Sequence, residues 1–212
     1  MRKIKNIAAA FAVAGIVLAL STVVLSLCQL RTSPVLLSAS EEASNTAQEL
    51  MDALQQGDFS HGETLLYGTP SLGADRQPAD AVGQLIWDAF VKSIDYRFQG
   101  ELYTTDSGLA QDVSITTLDI LSVTNPLKNR SESLLEERVQ KAEDVSQIYD
   151  GNNEYREEFV MQVLYDAASA ILQKEARFVT TEVTLNLVYY QNRWWVMPDQ
   201  ALLRVISGGT AG

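Results

Sequence analysis

The segment VTTEVTLNLVYYQNRWWVM, residues 179–197, carries the clearest strand pattern in the chain. Apolar and polar side chains alternate along its first half, which is typical of a β-strand with one buried face. The pair Gln191-Asn192 then interrupts the alternation and predicts a two-residue turn into a second strand. The register that follows pairs Tyr190 with Arg193, Tyr189 with Trp194, Val188 with Trp195 and Leu187 with Val196. A three-residue loop would instead exchange the two tryptophans between the faces.

This register gives the terminal hairpin two different faces. The face that we expect in the core carries Leu187, Tyr189, Trp194 and Val196. The opposite face carries Val188, Tyr190 and Trp195, with Met197 beside them. Aromatic residues and Met on an exposed sheet face are typical of protein interfaces, so these four residues form a predicted partner interface. The alternative is that helices at 131–174, or a short helix after Asp199, fold over this face and bury it.

The rest of the chain predicts an α+β domain. Alternation at 96–102 and 113–123 indicates a second hairpin, with its turn at 104–108 and its end at Asn125-Pro126. Three helices are expected before it, starting at Ser38 or Ser40 and ending before Gly57, then at 59–67, and then at 78–93 with Pro78 opening the helix. Two further helices, at 131–149 and 155–174, are expected as a helical hairpin inserted between the strand pairs.

The order of these elements resembles the NTF2-like cone fold. The likeness rests on the final turn and strand, Gln191-Asn192-Arg193-Trp194-Trp195-Val196, and on the strand pattern at 113–119. More closely, the layout is similar to membrane-anchored or lipoprotein-type NTF2-like proteins of Gram-positive bacteria over residues 41–198, with a longer helical insertion than the plain cone. The resemblance implies helices packed on a curved, mainly antiparallel sheet and an extracytoplasmic location. It carries over no catalytic residue, because NTF2-like members range from isomerases to pure binding modules.

The N-terminal segment IAAAFAVAGIVLALSTVVLSL, residues 7–27, has no charge and follows Arg2, Lys3 and Lys5. It is long enough to span the hydrocarbon core of a bilayer, roughly 30 Å, and the basic flank predicts a cytoplasmic N-terminus. We therefore expect a stub and transmembrane signal anchor at 1–30, a juxtamembrane linker at 31–39 and one extracytoplasmic domain at 40–212.

Cys28 is the only cysteine, so no internal disulfide is expected. It raises the alternative of lipidation at the outer end of the apolar segment, although Leu27 stands where lipobox sequences hold a small residue. Cleavage at Ser38-Ala39-Ser40 is another alternative to an uncleaved anchor.

Charge and motifs exclude several classes of function. Four of the 16 basic residues precede position 40, so 12 basic residues accompany all 27 acidic ones after it, a formal charge of −15. Such a surface repels phosphate backbones, and no nucleic acid is expected as a partner. The patterns HExxH, CxxC, GxSxG, GxGxxG and GxxxxGK[ST] are all absent. The acidic turn at 150–154 lacks the spacing of a calcium loop, so no metal or cofactor is expected.

One constellation still suggests chemistry. Tyr96, Phe98 and Tyr189, with Asp119 as a buried acid, could line a cone cavity that binds a small molecule, and His61 could act as acid or base. The alternative is that the aromatic rings only fill the core. The function expected overall is a binding or assembly module of the bacterial cell envelope without catalysis, with a homodimer or an envelope protein as partner. An isomerase-like enzyme is the alternative.

Overall fold

The computed structural model describes residues 34–68, 70–72 and 78–208. The chain divides into two compact units, residues 1–42 and residues 43–212. None of the described helices has the length and hydropathy needed to cross a membrane. The anchor predicted at 7–27 and Cys28 lie outside the described residues.

The described elements confirm an α+β fold. The helices are α1 (Pro34–Gln56), α2 (Phe59–Leu65), α3 (Ala81–Ser93), α4 (Ile120–Lys141), α5 (Glu157–Lys174) and α6 (Gln200–Ile206), with a 3₁₀ turn at Val145–Gln147. The strands are β1 (Asp95–Thr105), β2 (Gly108–Leu118), β3 (Phe178–Tyr190) and β4 (Arg193–Met197). They form one sheet in the order β1-β2-β3-β4, in which every neighbouring pair is antiparallel.

The register predicted for the terminal hairpin is confirmed in every pair. Gln191 and Asn192 have φ angles of 51° and 64°, which the tight turn between β3 and β4 requires because its twist must match that of the strands. The β1–β2 pairing is less regular. Its register shifts between Gln99 and Tyr103, and Gly100 there has a φ of 67°.

Several predicted helix boundaries were wrong. Helix α1 begins at Pro34, before Ser38 and Ser40, because proline is well tolerated at the first helical position. Helix α3 begins at Ala81 instead of Pro78, since the Asp80 side chain accepts a hydrogen bond from the Gly83 N–H at 2.8 Å and caps it.

The end of β2 differs most from the prediction. The strand stops at Leu118, and Asp119 caps α4 by accepting a hydrogen bond from the Leu121 N–H at 3.1 Å. Pro126 then lies inside α4 instead of ending a strand. Although proline has no N–H for the helix ladder, Val123 and Leu127 pack on the core from this helix, and this tertiary contact overrides the local signal.

One face of the sheet builds the core. Its fully buried side chains meet apolar residues from α1, α3 and α6. The sheet contributes Val113, Ile115, Val183, Leu185, Leu187 and Val196, and the helices contribute Leu50, Met51, Leu54, Phe90, Leu202 and Ile206. Burying each large aliphatic side chain contributes about 1.5–3 kcal/mol, so this layer is the main source of stability.

A helical arm lies outside this core. Between Leu127 and Ile171, a stretch that the structure describes throughout, no residue joins the core cluster. Helix α5 packs along α4 and against α3 instead. We call residues 128–170 the α4–α5 arm.

Candidate functional site

The outer face of the sheet, opposite the core, ends in a group of aromatic side chains at the terminal hairpin. We call Tyr67, Tyr190, Arg193 and Trp195 the hairpin cluster. The Tyr67 ring meets the rings of Tyr190 and Trp195 edge-on, at centroid distances of 5.7 and 6.2 Å. The Arg193 guanidinium lies 3.3 Å from the centroid of the Trp195 ring. The Trp195 indole N–H donates to the Tyr190 carbonyl at 2.9 Å.

Two residues of the cluster were missed by sequence reasoning. Tyr67 arrives from the segment after α2, because Leu66 forms a parallel bridge with Val196 and the Tyr67 N–H donates to the Val196 carbonyl at 2.9 Å. Arg193 donates to the Thr64 carbonyl at 2.8 Å and so holds the last turn of α2 against β4. A single tyrosine in a loop gives no periodic signal, and the contact between Tyr67 and β4 joins residues more than 120 positions apart.

The hairpin cluster remains accessible. Tyr67 and Tyr190 are 39% and 49% exposed, while Val188, Trp195 and Met197 are partly buried. Because Tyr67 and Tyr190 are exposed, helices do not fold over this face at these two residues, as one alternative had predicted. Helix α6 contributes Leu202, Val205 and Ile206 to the core instead.

The middle of the outer face is polar and internally hydrogen-bonded. The Ser114 hydroxyl donates to Glu182 Oε1 at 2.6 Å, and the Thr184 hydroxyl donates to Asp112 Oδ1 at 2.6 Å. The hydroxyls of Thr116 and Thr180 lie 2.8 Å apart. Because these polar groups already have partners, the middle of the outer face offers few free hydrogen-bonding groups. Exposed aromatic side chains lie at both ends of β3, at the hairpin cluster and at Phe178, which is 62% exposed.

Of the four residues predicted to line a cone cavity, the structure brings two together. The rings of Tyr96 and Phe98 meet edge-on at 5.4 Å. The Tyr96 hydroxyl donates to Asp52 Oδ1 at 2.5 Å. Burial, together with this hydrogen bond and the negative charge of Asp52, raises the pKa of Tyr96 to about 12.

The other two lie elsewhere. Asp119 is the cap of α4, next to the strand end where Leu118 pairs with Phe178. Tyr189 lies eleven residues along β3 from Phe178, roughly 36 Å away in an extended strand. Tyr189 was expected in the core but is 54% exposed, because it lies beyond Leu187, the last buried residue of β3. The four residues therefore do not line a common pocket.

His61 lies beside a different concavity. A surface groove of about 440 Å³ between α1 and α2 is bordered by His61, Glu49, Asp52 and Asp58. The His61 Nε2 atom lies 2.9 Å from Glu49 Oε1. Within the part of the chain that the structure describes, no group of three or more His, Cys, Asp or Glu side chains could hold a metal ion.

The fold and the hairpin cluster together define an α+β domain with a four-stranded antiparallel sheet and an exposed aromatic surface at one end of it. No protein-family model, no curated protein and no solved structure matches the chain.

Proposed function

We propose that this protein is a binding or assembly module that docks a partner protein on the hairpin cluster. The observation that supports this most directly is the exposure of Tyr67 and Tyr190 beside Trp195 and Arg193. Tyr, Trp and Arg are the residues that most often dominate the binding energy of protein interfaces. The polar outer face around them would supply the rim of such an interface.

The cluster is also arranged in advance of binding. Arg193 is held by the Thr64 carbonyl and the Trp195 ring, and Trp195 is held by the Tyr190 carbonyl. Side chains fixed in this way lose little rotamer entropy on association, which favours affinity.

We further propose that the module is an NTF2-like domain with the α4–α5 arm as its helical insertion, held outside the membrane by a signal anchor at 7–27. Supporting this are the basic residues before an uncharged apolar segment and the order of helices, hairpin, helix pair and hairpin. The proposal places the domain in the cell envelope, with a second copy or an envelope protein as its partner.

A photo-crosslinking experiment tests the docking surface. A benzophenone amino acid replaces Tyr190 in the full chain, and the control carries it at Leu121, an exposed residue in the first turn of α4. We expect a discrete crosslinked product in native membranes from position 190 alone. Its mass distinguishes a second copy from a different protein. The same products from both positions, or none from position 190, would contradict the proposal.

A small-molecule site is the second candidate, and the α1–α2 groove favours it. The hydrogen-bonded pair His61 and Glu49 borders this groove, as does Asp52, whose carboxylate accepts a hydrogen bond from Tyr96. Native mass spectrometry of the full chain released from detergent tests it. A stoichiometric adduct that disappears in Asp52→Asn would favour this candidate, whereas an adduct that persists in the variant would argue against the groove.

A further inference from the structure

The end of the α4–α5 arm carries a second aromatic group. We call residues 142–159 the arm tip. Tyr149 and Tyr155 form an isolated antiparallel bridge, and their rings stack with centroids 5.0 Å apart and planes inclined by 24°. The Tyr155 ring also stacks on Phe159 at 6.4 Å. Tyr155 is 44% exposed, so the stack presents an open aromatic surface outside the main core cluster.

Local hydrogen bonds hold the arm tip in shape. Asp150 Oδ1 accepts from the N–H groups of Asn152 and Glu154 at 2.8 and 3.0 Å. Arg156 Nε donates to the carbonyls of Ser146 and Tyr149 at 2.8 and 3.1 Å. Hydrogen bonds within the arm tip therefore help to position the aromatic stack.

A groove of about 400 Å³ lies beside the stack. Ala142, Ile148 and Phe159 give it an apolar lining, and Glu143 and Asp144 add carboxylates. Arg138 also borders the groove, but its guanidinium is paired with Asp166 on α5. The groove thus combines an apolar surface with negative charge.

The charge of the arm tip is strongly one-sided. Residues 142–159 contain six acidic side chains and one basic side chain, Arg156. Hydrogen bonds from Ser146 lower the pKa of Asp144, and backbone N–H groups of Glu154 and Asn152 lower the pKa of Asp150. Both carboxylates are therefore ionised at neutral pH, and the tip attracts cations.

We propose that the arm tip docks a Lys- or Arg-bearing segment of a partner protein. A guanidinium or ammonium group would lie against the exposed part of the Tyr155 ring, whose quadrupole attracts cations. The aliphatic stem of the same side chain would pack on Ile148 and Phe159, and Glu143 would accept charge-assisted hydrogen bonds. Charge complementarity selects this occupant over a second copy, because the chain itself carries a net charge of −11.

The test measures fluorescence anisotropy of a labelled nine-residue peptide of alternating Arg and Ser with the full chain in mild detergent. A peptide with Glu in place of Arg is the ligand control. Glu143→Lys should weaken binding about tenfold, since it reverses a charge in the groove. Tyr155→Ala should weaken it about threefold to fivefold through loss of the aromatic surface.

The matched variant is Glu101→Lys, which makes the same charge change at an exposed residue of β1, well before the arm in the sequence. It should alter the affinity less than about twofold. Equal weakening by both lysine variants would show diffuse attraction to an acidic protein and overturn the proposal, as would failure of the arginine peptide to bind. A dimer in light scattering that Glu143→Lys dissociates would assign the groove to a second copy and overturn it as well.

Discussion

The surroundings of Tyr96 raise the pKa of its hydroxyl. Its pKa of about 12 lies above the ordinary value of 10 because burial and Asp52 favour the protonated form. A raised folded-state pKa means that the stabilisation is fully present below pH 10 and is lost as the pH rises through 12. We expect an ultraviolet titration to show one tyrosine that ionises at a higher pH than most of the others.

The variant Tyr96→Phe checks the assignment. It should remove that late step, and its urea midpoint should fall less than that of the wild type between pH 9 and pH 11.5. A late step that survives in Tyr96→Phe would assign the highest pKa to another tyrosine.

Arg193 is the residue that ties the hairpin cluster together. Arg193→Ala should lower the free energy of unfolding by about 1–2 kcal/mol, because it removes both the hydrogen bond to Thr64 and the contact with the Trp195 ring. Urea denaturation measures this loss. The control Arg97→Ala, an exposed arginine on β1, should stay within about 0.5 kcal/mol of the wild type. Equal effects would mean that the contacts of Arg193 do not stabilise the fold.

Residue patterns predicted local pairing well and long-range contact poorly. The two-residue turn at Gln191-Asn192 fixed which residues face each other across the hairpin, because strand periodicity allows one register for each loop length. The same periodicity assigned Tyr189 to the core, but alternation reports a face and not how far the core extends along it. Tyr67 could not be predicted as part of the site, because the parallel bridge between its neighbour Leu66 and Val196 produces no pattern in the local sequence.

At the scale of elements, Asp119 is the clearest change of interpretation. It was expected as an acid in a cavity and is a helix cap instead. Asp119→Ala should therefore destabilise the protein by about 1 kcal/mol, the usual value for a lost N-cap. Thermal or urea unfolding measures the change. Asp119→Ser keeps a capping oxygen and should cost less than about 0.5 kcal/mol. A large loss in the serine variant would indicate a role that depends on the carboxylate charge.

The junction between β2 and α4 shows why boundaries resist prediction. The apolar residues after Asp119 fit a continuing strand as well as a helix, and Pro126 favoured the strand. The helix prevails because Val123 and Leu127 reach the core only from one helical face. That information resides in the tertiary packing and not in the local sequence.

At the scale of the whole molecule, the α4–α5 arm and the core should differ in local stability. Native-state hydrogen exchange should show faster exchange for amides near the arm tip than for those of β2 and β3, because Ile148 is the one buried apolar side chain among residues 142–159. The amides at Val113 and Val183 are suitable internal references, since both side chains are buried. Equal protection in the two regions would show that the arm unfolds only with the core.

The α+β class and the order of elements were predictable because each helix and strand carries its own periodicity. The candidate site was predictable only in part. Val188, Tyr190, Trp195 and Met197 follow from the register of one hairpin, whereas Tyr67 and the arm tip depend on how distant segments meet. The proposed cone cavity required residues from different strands to lie close together. Periodicity along the sequence describes one strand or helix at a time and does not show which residues of different elements meet.

The two edge strands of the sheet, β1 and β4, affect whether copies of this protein can join edge to edge into fibrils. At β4, the Val196 carbonyl is already occupied by the segment after α2, and at β1 the strand is kinked between Gln99 and Tyr103. Fibril growth by strand addition needs a straight row of free backbone groups. Neither border offers one along its full length, so the sheet resists templated elongation even when the domain is concentrated at a surface.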